Sequence, residues 1–231
     1  MIRTFTPRFD ALPPAQQHLW PELHVAPKLG FTLYGGTAIA LRLGHRSSVD
    51  FDFFSDEPLD HDAVRAAVPF AARSTTLRHQ ANTWVLLVPI DDTGRMHVKV
   101  SFFGAITFGR VGEPEFTDDG VLQVASLDDL MATKVKTVLQ RAEVRDYRDI
   151  AAMIHAGVSL PHGIAAARVM FGPNFQPIES LKALVYFDDG DLSRLTAAER
   201  TTLVDAVKAA GDLPEVVLRS LSLGGLGRGG E

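Results

Sequence analysis

The chain contains no cysteine among its 231 residues. A disulfide framework, a thiolate metal site and a thiol nucleophile are therefore excluded. Its eight histidines form neither an H-E-x-x-H motif nor an H-x-H pair, so the common histidine signatures of zinc sites are missing too. We expect these histidines to be solvated or singly hydrogen-bonded side chains.

Long apolar runs and an excess of basic residues are also lacking. No apolar stretch approaches the roughly 20 residues that span a bilayer, and the N-terminal "MIRTFTPRFDALPP" lacks the apolar segment of a secretory signal. A soluble cytoplasmic protein without a membrane segment is therefore expected. The net charge of −5 argues against broad nonspecific attraction to nucleic acid, although it leaves room for a local basic patch.

The pattern of the chain changes near residue 125. Before this point, apolar segments rich in β-branched and aromatic residues alternate with turn signals and a few short helical patterns; "FTLY", "VDFDFF", "RSTTLRH", "TWVLLVPI", "MHVKVSFF" and "VLQVAS" predict strands. After it the pattern is helical. The sequence predicts an α+β fold with a core of residues 1–125, a helical region over 126–222 and a flexible tail over 223–231.

Capping signals locate two of the helices in the second half. Ser126 and Asp129 predict a capping box for a helix that runs to about Arg141. Thr196 and Glu199 repeat this signature before "LVDAVKAAG". A further helix is predicted between them, over residues 145–156.

The stretch "FTLYGGTAIALRLGHRSSVDFDFF" carries the clearest chemical signal. Successive side chains of a strand face opposite ways, so Asp50 and Asp52 share one face while Phe51 and Phe53 share the other. Two adjacent carboxylates repel each other unless a cation intervenes, and hard cations such as Mg²⁺ prefer oxygen ligands. Alone, the pair would be typical of an exposed strand edge with charged residues; together with the G-G-T that precedes it, the pair predicts a magnesium site.

Upstream of these acids, Gly35, Gly36 and Thr37 lie where a strand ends and a helix begins. Small residues let backbone N–H groups and the positive end of a helix approach an anion, and the threonine hydroxyl adds a donor. We therefore expect phosphate groups to bind beside the metal. Thr37 could equally serve as the helix N-cap.

This stretch resembles the signature of the DNA polymerase β type nucleotidyltransferases, in which G-G-T is followed by a short helix and then by D-x-D on the next strand. The longer string "GGTAIALRLGHRSSVDFDFF" is similar to that of the AbiEii/AbiGii toxin family within this superfamily. "MATKVKTVLQRAEVRDYRDI" resembles the same family's downstream motif, a lysine seven residues before an arginine and then R-D-x-x-D. The resemblance covers residues 30–155.

This resemblance implies a polymerase β type nucleotidyltransferase fold and a set of site residues. Lys134 would contact the phosphates of the nucleotide, and Asp146 or Asp149 would complete the site, with Asp146 the better candidate. Arg46 could clamp phosphate, as the family places an arginine there, or it could pair with Asp50 across the turn. Arg145 and Asp149 could equally form an intrahelical ion pair.

One feature departs from the superfamily pattern. Polymerase β type transferases normally bring a third acid from a later strand, where it can act as general base. The strand expected to supply it, "MHVKVSFF", offers Lys99 and Ser101 and no acid. Either Asp146 takes over this role or the activity is altered or lost.

The predicted reaction is transfer of a nucleoside monophosphate from an NTP to an acceptor hydroxyl, with Mg²⁺ held by Asp50 and Asp52. Family membership implies the toxin of a toxin–antitoxin pair, a tRNA or other RNA acceptor and a cognate antitoxin. Two alternatives stay open: a nucleotide-binding module without turnover, and an enzyme that modifies a small molecule such as an aminoglycoside.

Overall fold

The computed structural model describes residues 3–91 and 95–225. They divide into two compact units. The first takes its described residues from Met1–Gly109, Glu113–Ala125 and Leu221–Glu231, and the second comprises Arg110–Gly112 and Ser126–Ser220. The α+β class predicted from the sequence is confirmed, because strands and helices mix in the first unit and helices alone build the second.

The first unit is built on one mixed sheet. Its strands are β1 (Thr4–Phe5), β2 (Thr32–Tyr34), β3 (Asp50–Phe54), β4 (Thr75–Gln80), β5 (Thr83–Pro89), β6 (His97–Phe103), β7 (Glu115–Thr117) and β8 (Gln123–Val124). Their order across the sheet is β1-β7-β8-β2-β3-β6-β5-β4. The β3 strand lies near the centre, antiparallel to β2 and parallel to β6.

Strand β3 shows the alternation that the sequence predicts. Phe51 and Phe53 are fully buried, whereas Asp50, Asp52 and Phe54 are half-buried on the opposite face. The ring of Phe53 stacks on Phe102 of β6 with centroids 5.4 Å apart in the sheet's apolar core. Burial of such rings contributes about 1.5–3 kcal/mol each, so the register that keeps both phenylalanines inside also fixes both aspartates outside.

Three helices complete the first unit, namely α1 (Pro14–Leu19), α2 (Gly35–Leu43) and α3 (His61–Ala67). Helix α2 begins directly after β2, as predicted. Gly35 makes this sharp entry with a φ of +75°, a conformation that side-chain-bearing residues rarely adopt. The helix ends at Gly44, which takes the left-handed conformation common at helix C-termini.

The second unit is helical. Its helices are α4 (Leu127–Thr137), α5 (Val144–His155), α6 (Leu160–Phe171), α7 (Pro177–Ala183) and α8 (Ala197–Lys208). The helix predicted over residues 145–156 corresponds to α5. Across residues 3–91 and 95–225, no helix combines the length and apolar character needed to cross a bilayer.

The two predicted capping boxes differ in outcome. The Thr196 and Glu199 box is present in full at the start of α8. At the start of α4, Ser126 does accept the Asp129 N–H, but the Asp129 carboxylate accepts from the N–H groups of Val111 and Gly112 instead of closing the box. Helix α4 also ends at Thr137, earlier than predicted.

The predicted flexible tail needs a correction at its start. Leu223 is fully buried, and its N–H donates to the Asp56 carboxylate at 2.9 Å. Ser222 donates to the same carboxylate. This segment is therefore anchored in the first unit, while residues 226–231 of the predicted tail lie outside the described residues.

Substituting Gly163 with alanine should destabilise the second unit, although glycine to alanine in a helix ordinarily stabilises by about 1 kcal/mol. A Cβ at this buried position of α6 would clash with Met131 Cγ and lie 3.0 Å from Met131 Cβ. We expect G163A to lower the free energy of unfolding by about 1–3 kcal/mol, measured by urea denaturation.

The matched test is the same substitution in a Met131→Ala background. Because the shortened side chain removes the clashing atom, the cost of G163A should shrink or change sign there. An equal cost in both backgrounds would show that the contact between α6 and α4 is not its cause.

Candidate active site

The two acids of β3 lie beside the start of α2. Asp52 is the strand partner of Tyr34, the last residue of β2, so its carboxylate faces the next residue along the chain, Gly35. A Cβ on Gly35 would lie 2.8 Å from Asp52 Oδ2. A side chain at this position would push the carboxylate aside, which adds a steric reason for glycine to that of its positive φ.

The second glycine lies against a cation. A Cβ added at Gly36 would clash with the guanidinium of Arg46, and it would lie 3.3 Å from Ser48 Oγ. Both Gly35 and Gly36 are partly exposed, so their backbone is accessible at the start of α2. The N-terminal N–H groups of a nine-residue helix and a neighbouring guanidinium together form an environment suited to an anion.

The structure corrects the predicted role of the Thr37 hydroxyl. This side chain is 1% exposed; its Oγ1 lies 2.9 Å from Ser48 Oγ and also contacts the backbone carbonyl of Asp50. It is not the N-cap either, because Tyr34 occupies that position. Thr37 therefore ties α2 to the segment that leads into β3, and any contribution of this residue to phosphate binding falls to its backbone.

Strand β6, on which an acid was expected, presents Lys99 and Ser101 beside the two acids of β3. In the parallel pairing of β3 and β6, Lys99 is the partner of Asp50 and Ser101 is the partner of Asp52. The Lys99 ammonium lies 2.8 Å from Asp50 Oδ2. In the sequence, Lys99 drew attention only because its strand carries no acid. The ion pair with Asp50 could not be predicted, since it depends on strand register, which the local pattern does not reveal.

The acid pair suits a divalent cation such as Mg²⁺. Asp50 and Asp52 present carboxylate oxygens on one half-buried face, and Mg²⁺ is commonly held by one or two carboxylates together with substrate phosphates and water. Among the described residues, no group of three or more His, Cys, Asp or Glu side chains could hold a metal by itself. The donor set therefore fits an ion that arrives with a phosphate ligand.

The second unit contains a buried cluster of charges built from the downstream motif. Lys134 of α4 lies 2.6 Å from Asp146 and 2.7 Å from Asp149, both on α5 and both fully buried. The R-D-x-x-D spacing explains this meeting, because residues three apart share one face of a helix. A guanidinium from Arg141 adds a second cation to Asp146 at 2.8 Å.

The charge partners determine the ionisation of Asp146. Burial alone would raise the pKa of this carboxyl, but hydrogen bonds and charges from Arg141 and Lys134 outweigh burial and hold the pKa below its ordinary value. A carboxylate stabilised in this way is a weak proton acceptor. The contacts suit a role in positioning Lys134 better than the predicted role in deprotonating an acceptor.

Two arginines of this region lie differently from the sequence-based interpretation. Arg141 was predicted near the end of the helix that contains Lys134, yet it lies beyond the end of α4 and reaches Asp146 from there. Arg145 was a candidate partner of Asp149, but it pairs with Glu143 at 2.6 Å, while Asp149 faces Lys134.

Comparison with known proteins identifies the family. The family described as "Nucleotidyl transferase AbiEii toxin, Type IV TA system" matches residues 23–208. The chain belongs to this family. The uncharacterized protein aq_aa25 of Aquifex aeolicus (strain VF5) is 27% identical over 166 residues, which is 69% of this chain and 74% of the relative. The family predicted from the G-G-T, D-x-D and R-D-x-x-D motifs is therefore confirmed.

A solved structure supports the fold. MenT4, the nucleotidyltransferase toxin Rv2826c from Mycobacterium tuberculosis H37Rv, matches with a TM-score of 0.55 and 16% sequence identity, covering 84% of this chain and 82% of MenT4. At this identity the likeness concerns the fold alone. It agrees with the predicted nucleotidyltransferase core, and membership of a toxin–antitoxin family implies an antitoxin partner.

Replacing Asp146 with asparagine should destabilise the protein in a pH-dependent way. At pH 7 we expect a loss of about 3 kcal/mol, because Lys134 and Arg141 lose a buried anionic partner. The folded-state pKa of Asp146 lies below its unfolded value of about 3.9. The contribution of the ionised Asp146 side chain to the free energy of unfolding is therefore fully present above about pH 4 and is lost as the pH falls through the folded pKa.

Urea unfolding of both proteins between pH 3 and pH 8 measures this difference. The gap between wild type and D146N should narrow at the acidic end. Asp212→Asn, which alters an exposed carboxyl of the same unit, should cost less than about 0.5 kcal/mol. A gap of the same size at pH 3 and pH 7 would contradict the assigned ionisation.

Proposed function

We propose that this protein transfers a nucleoside monophosphate from an NTP to an acceptor hydroxyl and releases pyrophosphate. The observation that carries this proposal is the juxtaposition of Asp52 with Gly35, where the acid pair of β3 meets the start of α2. A nucleotidyl transfer needs an anion site and a cation site within a few ångströms of each other, and this corner of the first unit offers both. Membership of the AbiEii nucleotidyltransferase family agrees with this reaction.

In this proposal the β and γ phosphates bind at Gly35 and Gly36. The backbone N–H groups at the start of α2 donate to phosphate oxygens, and the positive end of the helix favours their charge. Arg46 lies against Gly36, and its Nη1 donates to the Ser47 carbonyl at 3.0 Å; its guanidinium would turn toward the phosphate and bind it. Thr37 holds α2 in place from inside the unit.

Asp50 and Asp52 would hold Mg²⁺ in this site. The ion would neutralise the triphosphate and stabilise the charge that grows on the transferred and leaving oxygens. The two carboxylates are fixed on one face by the burial of Phe51 and Phe53, so they need little rearrangement to bind it. Asp50 would bind the metal while it also contacts the Lys99 ammonium.

Lys134 and Asp146 enter the proposal through the resemblance to the family. Lys134 would offset the negative charge of the pyrophosphate, and Asp146 would position the Lys134 ammonium through their 2.6 Å contact. These assignments stay predictions. The transfer rate and the free energy of unfolding of a Lys134→Met variant, compared with those of D146N, distinguish a loss of catalysis from a loss of folding.

The acceptor follows from the family rather than from this chain's geometry. We propose an RNA, with tRNA as the first candidate, and a cognate antitoxin as the partner that restrains the activity. A second candidate function is a nucleotide-binding module without turnover. Lys99 favours this candidate, because it stands on the strand where polymerase β type transferases normally carry their third acid.

Replacing Asp50 and Asp52 together with asparagine should reduce nucleotide transfer by at least about a hundredfold, because the variant loses the two negative charges that would hold the metal. The melting temperature should move by no more than about 4 °C, since the ion pair between Lys99 and Asp50 is half-exposed and contributes little to stability. Each α-³²P-labelled NTP, incubated with Mg²⁺, total RNA and the protein, provides the assay.

Label that enters RNA in the wild type and not in D50N/D52N supports the proposal. Asp62→Asn removes an exposed carboxyl of the first unit and should transfer at the wild-type rate. Calorimetric binding of NTP without any label transfer would identify a binding module. Label that enters an added aminoglycoside but not RNA would point to a small-molecule transferase.

A further inference from the structure

Lys99 occupies a specific place in the candidate site. Its ammonium lies 2.8 Å from Asp50 Oδ2, with 40% of the Lys99 side chain and 23% of the Asp50 side chain exposed. On the other side of Lys99, its strand partner on β5 is Leu87, which offers no charge. The lysine charge is therefore directed toward Asp50.

The charges of this corner differ from those of a three-acid site. Asp50, Asp52 and Lys99 together carry a net charge of −1, and Arg46 beside Gly36 adds a further positive charge. A carboxylate in place of Lys99 would make the sum more negative by two. Ser101, the β6 residue beside Asp52, is neutral and 2% exposed. Two divalent ions about 3.5–4 Å apart need shared anionic ligands, and beside the two acids β6 offers a positive charge and a neutral hydroxyl in place of a further carboxylate.

We propose that Lys99 limits this site to a single divalent cation and itself supplies the positive charge that a second ion would bring beside Asp50. Its role is that of a positioning residue, because it acts through Asp50. The inference rests on the proposed function, since it presupposes a nucleotide–metal complex at Asp50 and Asp52.

The ion pair of Lys99 with Asp50 is half-exposed, and such a pair contributes little to stability. The pair is also accessible to solvent, so the long lysine side chain can adjust when an ion binds to the other oxygen atoms of the two acids. What the lysine changes is the number of cations that the acids can hold together.

Electron paramagnetic resonance with Mn²⁺ measures that number directly. The full chain is mixed with Mn²⁺ and with the α,β-methylene analogues of the four NTPs, which cannot be cleaved at the transferred phosphate. A single bound Mn²⁺ gives a six-line spectrum, whereas two Mn²⁺ ions about 3.5–4 Å apart are magnetically coupled and give a multiline spectrum. We expect only the uncoupled spectrum in the wild type.

Substitution at Lys99 should change the number of bound ions. Lys99→Asp places a carboxylate beside Asp50, and a coupled pair should appear. Lys99→Met removes the charge without adding a ligand, so a single Mn²⁺ should bind, with an affinity raised about three- to tenfold because a neighbouring positive charge is gone. Lys28→Asp makes the same change in net charge at an exposed position of the first unit and should leave the spectrum as in the wild type.

The outcomes separate this inference from the proposed function. A coupled pair in the wild type, or a K99D spectrum identical to that of K28D, overturns the role of Lys99 while the metal site stands. Mn²⁺ binding that is equal in the wild type and in D50N/D52N removes the proposed site itself, and the inference falls with it.

Discussion

The pairing of Tyr34 with Asp52 is the contact on which the candidate site depends. It joins the end of β2 to the middle of β3, so that the chain must turn into α2 directly beside the Asp52 carboxylate. Gly35 permits the turn because it has a positive φ and leaves no side chain in the way. The register is held in turn by the burial of Phe51 and Phe53, since a slip of one residue would exchange the aspartates with the phenylalanines. The apolar face of β3 thus determines the position of its acidic face.

The buried charges of the second unit are stabilised in a different way. Lys134, Asp146 and Asp149 are almost completely buried, and buried charges are tolerated only when they are paired and hydrogen-bonded. Because an unpaired charge at any of these buried positions would lower the stability of the fold, the cluster fixes how α4 and α5 are aligned. Arg141 contributes from outside α4, so the end of this helix at Thr137 is part of the arrangement.

Sequence patterns predicted the features that depend on local periodicity and on motif order. They gave the family, the α+β class, the alternation of β3 and the start of α2, because each of these follows from neighbouring residues in the chain. They did not predict the Lys99 contact with Asp50, which requires the parallel register of β3 and β6. The buried hydroxyl of Thr37 and the change of partner at Arg145 also lay beyond them. In each of these cases the sequence leaves several partners open to the side chain, and the tertiary fold determines which of them it contacts.

After Ser220 the chain returns to the first unit, and this return limits how the protein can be cut into stable fragments. Leu223 fills a buried position beside Thr32, whose hydroxyl lies 3.4 Å from the Leu223 carbonyl, and Asp56 accepts the Leu223 N–H. A fragment cut at residue 125 would leave this apolar position empty and the Asp56 carboxylate without that donor. The main segment of the second unit, Ser126–Ser220, is therefore inserted into the chain of the first unit, and an isolated first unit would have to keep the residues on both sides of this insertion and bridge them with a linker.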